Sequence, residues 1–153
     1  MSPPPPPPPP GEYRLGLDAH GRPFVGREAE PWAILAPTPL APNRWHALAA
    51  TYDGDVLRLF VDHVLVASAP SGAQFCDQVT PVLIGCDMER DSYAHHFEGF
   101  VAEVCIWERA LSAAEVGALR DSPPDVGTPL YAGLLGARVV PAAAARRARR
   151  RRA

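Results

Sequence analysis

Between Asn43 and Leu119, apolar side chains recur at every second position in short runs, and turn residues cut each run within a few positions. A period of two sends alternate side chains to opposite faces of an extended chain, so such runs need a second layer to bury one face. In the clearest run, Leu57, Leu59 and Val61 fall on one face, and Arg58, Phe60 and Asp62 on the other. Val64-Leu65-Val66 returns after Asp62-His63, which reads as a two-residue turn needing positive φ at both central positions. Histidine tolerates that region better than most residues, so His63 predicts a modest local cost and an intact hairpin.

The flanking segments follow the same pattern. Tyr13–Leu17 alternates, Asp18-Ala19-His20-Gly21 is a turn, Phe24-Val25 begins the return, and Trp32–Leu35 is another short apolar run. Pro37, Pro39 and Pro42 make the connection to Trp45 stiff. From Trp45 to Tyr52, consecutive Ala47, Leu48, Ala49 and Ala50 fit either a strand buried on both faces or a short helix. Pro81–Gly85 reads as a strand ending at a loop. Phe100–Trp107 reads as the next, with Ala102, Val104 and Ile106 on its inner face and Trp107 capping an end. Ser112 and Glu115 form a capping box for a helix running to about Leu119, which Pro123-Pro124 keeps short. Strands at roughly 8–12-residue spacing predict an all-β, antiparallel sandwich with one short C-terminal helix.

The order of these pieces is specific. A Trp45-led strand runs into a Tyr52-Asp53-Gly54 turn and then the hairpin at Asp62-His63. An apolar strand ending in Ile106-Trp107 and a helix opened by Leu111-Ser112-Ala113-Ala114-Glu115 complete the series. This order resembles the laminin-G-like, concanavalin A-like jelly roll, the superfamily that also contains the pentraxins, over about half of the 153 residues. The resemblance implies binding of carbohydrate or protein through loops at the sandwich edge. It also implies additional N-terminal strands, one of which packs beside the final Ile-Trp strand. Polyproline stands in that place here, so the jelly roll is expected to be N-terminally incomplete, with an uncovered edge beside Val101–Trp107 that recruits a second copy.

Residues 1–11 then form a Pro-rich segment, 12–122 the jelly-roll domain, and 123–153 a tail. Pro3–Pro10 predicts a solvated polyproline II spacer. In the tail, Leu130–Leu135 fits a docked strand, a collapsed segment or disorder equally. All 15 basic residues are Arg, and six of them (Arg146, Arg147, Arg149, Arg150, Arg151, Arg152) crowd the C-terminus. Without those six, 9 Arg face 17 Asp+Glu, a net charge of −8, which argues against a nucleic-acid-binding core. The Arg cluster itself suits phosphate backbones, anionic membrane or a nuclear address, or is simply a solvated tail. No signal-peptide core and no apolar run of spanning length is visible, whereas the resemblance suggests an extracellular setting. Localisation stays open.

The best candidate site is Cys86–Glu98, rich in carboxylates and similar to the pentraxin calcium loop. Carried over by position, Glu89 and Asp91 are implied as calcium ligands, with Asp87 and Glu98 as further candidates. Arg90 stands where the family has Gln, so only its carbonyl suits a cation. Calcium needs six to eight oxygens, and a solvated acidic loop is the competing reading. His95-His96 near Cys86 offers zinc-type ligands, but adjacent residues on an extended chain face opposite ways. Cys76, Cys86 and Cys105 are odd in number, so free thiols are the plain expectation.

Catalysis is not expected. The Glu-x-Asp-x-x-Glu strand of the related glucanases is absent, and Glu98, Glu103 and Glu108 are each five apart. The sequence therefore points to a non-catalytic recognition module for a glycan or protein ligand, with calcium as a candidate aid. The alternative is an assembly protein that associates through an open sheet edge and uses its Arg tail on nucleic acid or membrane.

Overall fold

The computed structural model describes residues 13–27, 30–72, 82–89, 92–107 and 109–120, and the backbone of 134–141. The polyproline run, Cys76, Pro81, Arg90, Asp91, Glu108 and the Arg cluster lie outside the described residues.

Two antiparallel sheets face each other across a core. The smaller contains β1 (Arg14–Leu17), β2 (Pro23–Gly26) and β3 (Ala33–Leu35) in that order. The larger contains β4 (His46–Tyr52), β5 (Val56–Val61), β6 (Val64–Pro70), β9 (Gly99–Trp107) and β10 (Leu134–Pro141), in the order β6-β5-β4-β10-β9. A separate hairpin is made by β7 (Asp87–Glu89) and β8 (Ser92–Ala94), and α1 spans Ala113–Ala118. Among the described residues no helix is long and apolar enough to cross a membrane. The all-β sandwich with one short helix is the observed architecture.

Register explains why the middle of the larger sheet is apolar on both faces. In the β4–β5 ladder, Ala50 pairs with Leu59 and Ala49 with Phe60. Ala50, Leu57 and Leu59 join Val25, Ile34 and Ala36 of the small sheet in one buried cluster. Ala49 and Phe60 project the other way and join Leu111 and Val116, so α1 covers the outer face. The Ala47–Ala50 run is thus a strand buried on both sides, and the helical alternative is excluded.

Local chemistry sets the turns. Asp62 and His63 have φ of 49° and 70°, the primed geometry that the hairpin needs. His63 does more than tolerate the turn. Its Nδ1 lies 3.0 Å from the Val116 carbonyl oxygen, tying the turn to the helix. His63→Gly relieves a strained backbone but removes that bond, and it is expected to cost about 0.5–1 kcal/mol, checked by the melting temperature. In the Tyr52-Asp53-Gly54 turn, Gly54 sits at φ 103° while Asp53 Oδ1 accepts the Asp55 and Val56 N–H groups at 3.0 and 2.8 Å.

The capping box expected at Ser112 is present. The Glu115 N–H donates to Ser112 Oγ at 3.2 Å, and the Ser112 N–H donates to Glu115 Oε2 at 2.8 Å. Arg109 adds a 2.6 Å ion pair to Glu115. Chiefly through that guanidinium, the Glu115 carboxyl is held at about 2, below its ordinary 4.5. The folded state therefore binds this proton more weakly than the unfolded chain. The cap's contribution is complete above the ordinary value and is lost as pH falls toward about 2. Ser112→Ala is expected to cost about 1 kcal/mol in urea unfolding at neutral pH.

Two of three expectations about the strands are corrected. The strand expected over Pro81–Gly85 does not form in its described part: Val82 and Ile84 are exposed and Gly85 turns the chain at φ 82°, so these apolar side chains gain no buried face. The open edge expected beside Val101–Trp107 is present, on one flank of β9 only. β10 pairs with β9 along one flank, from Leu134↔Trp107 to Pro141↔Gly99, and β9 then ends the sheet among the described residues. Leu134-Leu135 thus begins a docked strand. Finally, Glu103 has φ 55°, and the register jumps from Gly136↔Cys105 to Arg138↔Ala102. This bulge breaks the strict alternation expected for Ala102, Val104 and Ile106, and Trp107, at the end of β9, packs against the Phe60 cluster.

Candidate functional site

The acidic segment folds as a hairpin and not as an open loop. Asp87 pairs with Ala94, Met88 with Tyr93 and Glu89 with Ser92, so the two residues between the strands, Arg90 and Asp91, lie outside the described residues. The neck is closed by the Phe97 N–H, which donates to the Gly85 carbonyl at 2.7 Å. His95, at φ 51°, bends the chain away after β8.

Two of the candidate carboxylates already have partners. Asp87 Oδ2 is 3.1 Å from the Arg14 guanidinium of β1, which docks the hairpin against the small sheet, and its Oδ1 accepts the Met88 N–H at 2.8 Å. Glu89 Oε2 is 3.3 Å from His95 Nε2 on the exposed surface. Side chains two apart on a strand share a face, so Asp87 and Glu89 project to the same side of the hairpin. Glu98 is exposed beyond β8. Among the described residues, no three His, Cys, Asp or Glu side chains come together closely enough to hold a metal ion. A cation here would have to draw Glu89 from His95, and Asp87 from Arg14, before using them. Cys86 and Cys105 are free thiols, and burial, followed by the Glu103 charge, pushes Cys105 above its ordinary range.

Around the hairpin the chain exposes a set of large apolar side chains. Tyr93 is 66% exposed and Phe100 71%, with Val82 and Ile84 similarly open. These residues lie at and beside the same hairpin, along the segment from the last bend before β7 to the first residues of β9.

A second polar cluster, at the start of β4, is structural. His46 is buried, with Nδ1 2.9 Å from Asp62 Oδ2 and Nε2 2.9 Å from the Ala41 carbonyl oxygen. Asp62 Oδ1 also accepts the Ala47 N–H at 3.0 Å. Burial raises the Asp62 carboxyl, but the His46 and Ala47 hydrogen bonds and the Arg44 charge outweigh it and hold the group below its usual range. This link leaves no local trace in the sequence, because the partners lie 16 residues apart and meet only when β4 and β5 pair. The Arg14–Asp87 contact was hidden for the same reason.

Residues 9–117 match the family model described as Laminin_G_3, concanavalin A-like lectin/glucanases superfamily. Pappalysin-1 of Homo sapiens is 30% identical over 78 residues, which make up 49% of this chain and 5% of that protein. This chain thus spans only a small part of that relative's length. No solved structure matches it.

Proposed function

The chain belongs to the concanavalin A-like lectin/glucanases superfamily, and from that membership we propose that it is a non-catalytic recognition module for a carbohydrate or protein ligand. The supporting observation is the exposure of two aromatic side chains, Tyr93 in β8 and Phe100 in β9. Exposed Tyr93 and Phe100 cost hydration and stand among charged groups, as at surfaces that meet a ligand. Aromatic faces stack against sugar rings or apolar side chains, while neighbouring carboxylates fix orientation.

Calcium assistance is part of this proposal. Glu89, once drawn from His95, and Asp91 would supply carboxylate oxygens, with Glu98 and, once drawn from Arg14, Asp87 as further donors. The test is thermal unfolding of the purified chain with calcium and with chelator. A transition raised by calcium, and no longer raised in a Glu89→Gln, Asp91→Asn double variant, is the expected result. A shift that survives both changes removes the hairpin from consideration. A glycan array probed with and without calcium then separates sugar from protein ligands. Loss of array signal in Tyr93→Ala without loss of folding would place the ligand on this surface.

A further inference from the structure

The larger sheet is held together through its middle by a strand that lies outside the matched segment. Within residues 9–117, β4 and β9 do not pair with each other; each pairs with β10. One edge of β10 runs against β4 from Leu134↔Thr51 to Val139↔His46, and the other runs against β9 from Leu134↔Trp107 to Pro141↔Gly99. Withdrawing β10 would leave two facing strand edges, each with a row of unpaired N–H and C=O groups. Such a slot accepts one extended, antiparallel segment and little else.

What fills the slot is not fixed by the tether. β10 connects back to Arg120 only through residues 121–133, thirteen residues that include Pro123, Pro124 and Pro129. Fully extended, a connection of that length reaches roughly 43–47 Å, enough to carry a strand to the slot of an adjacent molecule. Every hydrogen bond that β10 makes to the sheet is to residues distant in sequence, so the same bonds form whether the strand arrives in cis or from a second copy. Only the loop-closure entropy and the protein concentration distinguish the two.

We propose that Leu134–Pro141 is an exchangeable donor strand and that the gap between β4 and β9 is an acceptor slot for the same strand of a second copy of this chain. Two copies then swap strands reciprocally. The resulting dimer forms the same main-chain ladders as the monomer.

The register offers a direct readout, because Gly136 lies opposite Cys105. A Gly136→Cys variant of the full chain places two thiols at a cross-strand position compatible with a disulfide. Natural-abundance and ¹⁵N-labelled variant chains are unfolded, mixed, refolded together at low and at high concentration, and oxidised. The peptides in which Cys105 is linked to the introduced thiol are then read by mass spectrometry. Exchange predicts mixed-isotope linkages whose share rises with refolding concentration toward half. Linkages that are always of one isotope overturn the proposal. Dimers without mixed linkages do so as well, since they would mean association along the outer flank of β9. If the substituted chain forms no such disulfide, the unmodified chain decides by light scattering after refolding at the same concentrations. A dimer that persists on dilution supports exchange, and a monomer at every concentration refutes it.

Discussion

Phe60→Ala is expected to destabilise the protein by about 3–5 kcal/mol, a large share of the stability of an ordinary domain. Phe60 is 1% exposed and is the largest fully buried side chain between the five-stranded sheet and α1, where it meets Ala49, Leu111 and Val116 with the partly buried Trp107 and Leu119 packed around them. Its neighbours cannot collapse into the space: Ala49 is small and fixed in β4, and α1 has fewer than two turns with which to follow. Urea unfolding monitored by tryptophan fluorescence gives the number. Phe60→Leu should lose much less, because it keeps most of the volume. A loss below about 1 kcal/mol for the alanine variant would mean that the outer face of the sheet is not tightly packed.

The second large effect is expected at Arg27, which is fully buried at the end of β2. Its guanidinium carbon lies 3.5 Å from the centre of the Tyr52 ring and 5.7 Å from that of Tyr13. Nη1 donates to Ser71 Oγ at 2.6 Å and to the Gly72 carbonyl at 3.2 Å. The Tyr52 hydroxyl in turn points at the Gly54 and Gly72 carbonyls, 2.7 Å from each. One cation thus joins β2, β4 and the end of β6. Lysine keeps the charge but loses the flat stacking surface and the forked donors, so Arg27→Lys should cost about 2–3 kcal/mol. The stacking component is isolated by a double-mutant cycle with Tyr52→Leu, where a coupling of about 1–2 kcal/mol is expected. Because the pair is desolvated, the coupling should change little with salt. Strict additivity of the two single changes would show that ring and cation do not interact.

What the sequence made legible was local. Period-two alternation at Leu57, Leu59 and Val61, the turn at Asp62-His63 and the Ser112–Glu115 box are each written within a few residues, and all three are found in place. Apolarity alone misled at Val82 and Ile84, which are exposed and pair with no strand among the described residues. The hairpin β7–β8 reads as a loop in the sequence because two strands of only three residues each carry almost no periodic signal. The bulge at Glu103 was also invisible, since glutamate has no marked preference for positive φ. Pairing partners such as Arg14–Asp87, His46–Asp62 and β10 between β4 and β9 depend on contacts across tens of residues. Only the general region of the candidate site and its carboxylates could be named in advance.

The position of β10 also sets a timetable. Synthesis runs at about 5–20 residues per second, so β4 leaves the ribosome on the order of ten seconds before its partner at residues 134–141 exists. Throughout that interval β4 carries one flank of open main-chain groups beside the apolar run Ala47–Ala50. The nascent chain is therefore most exposed to mispairing in the middle of its sheet, not at the rim, and β10, made after every other described strand, is the one that ends the hazard.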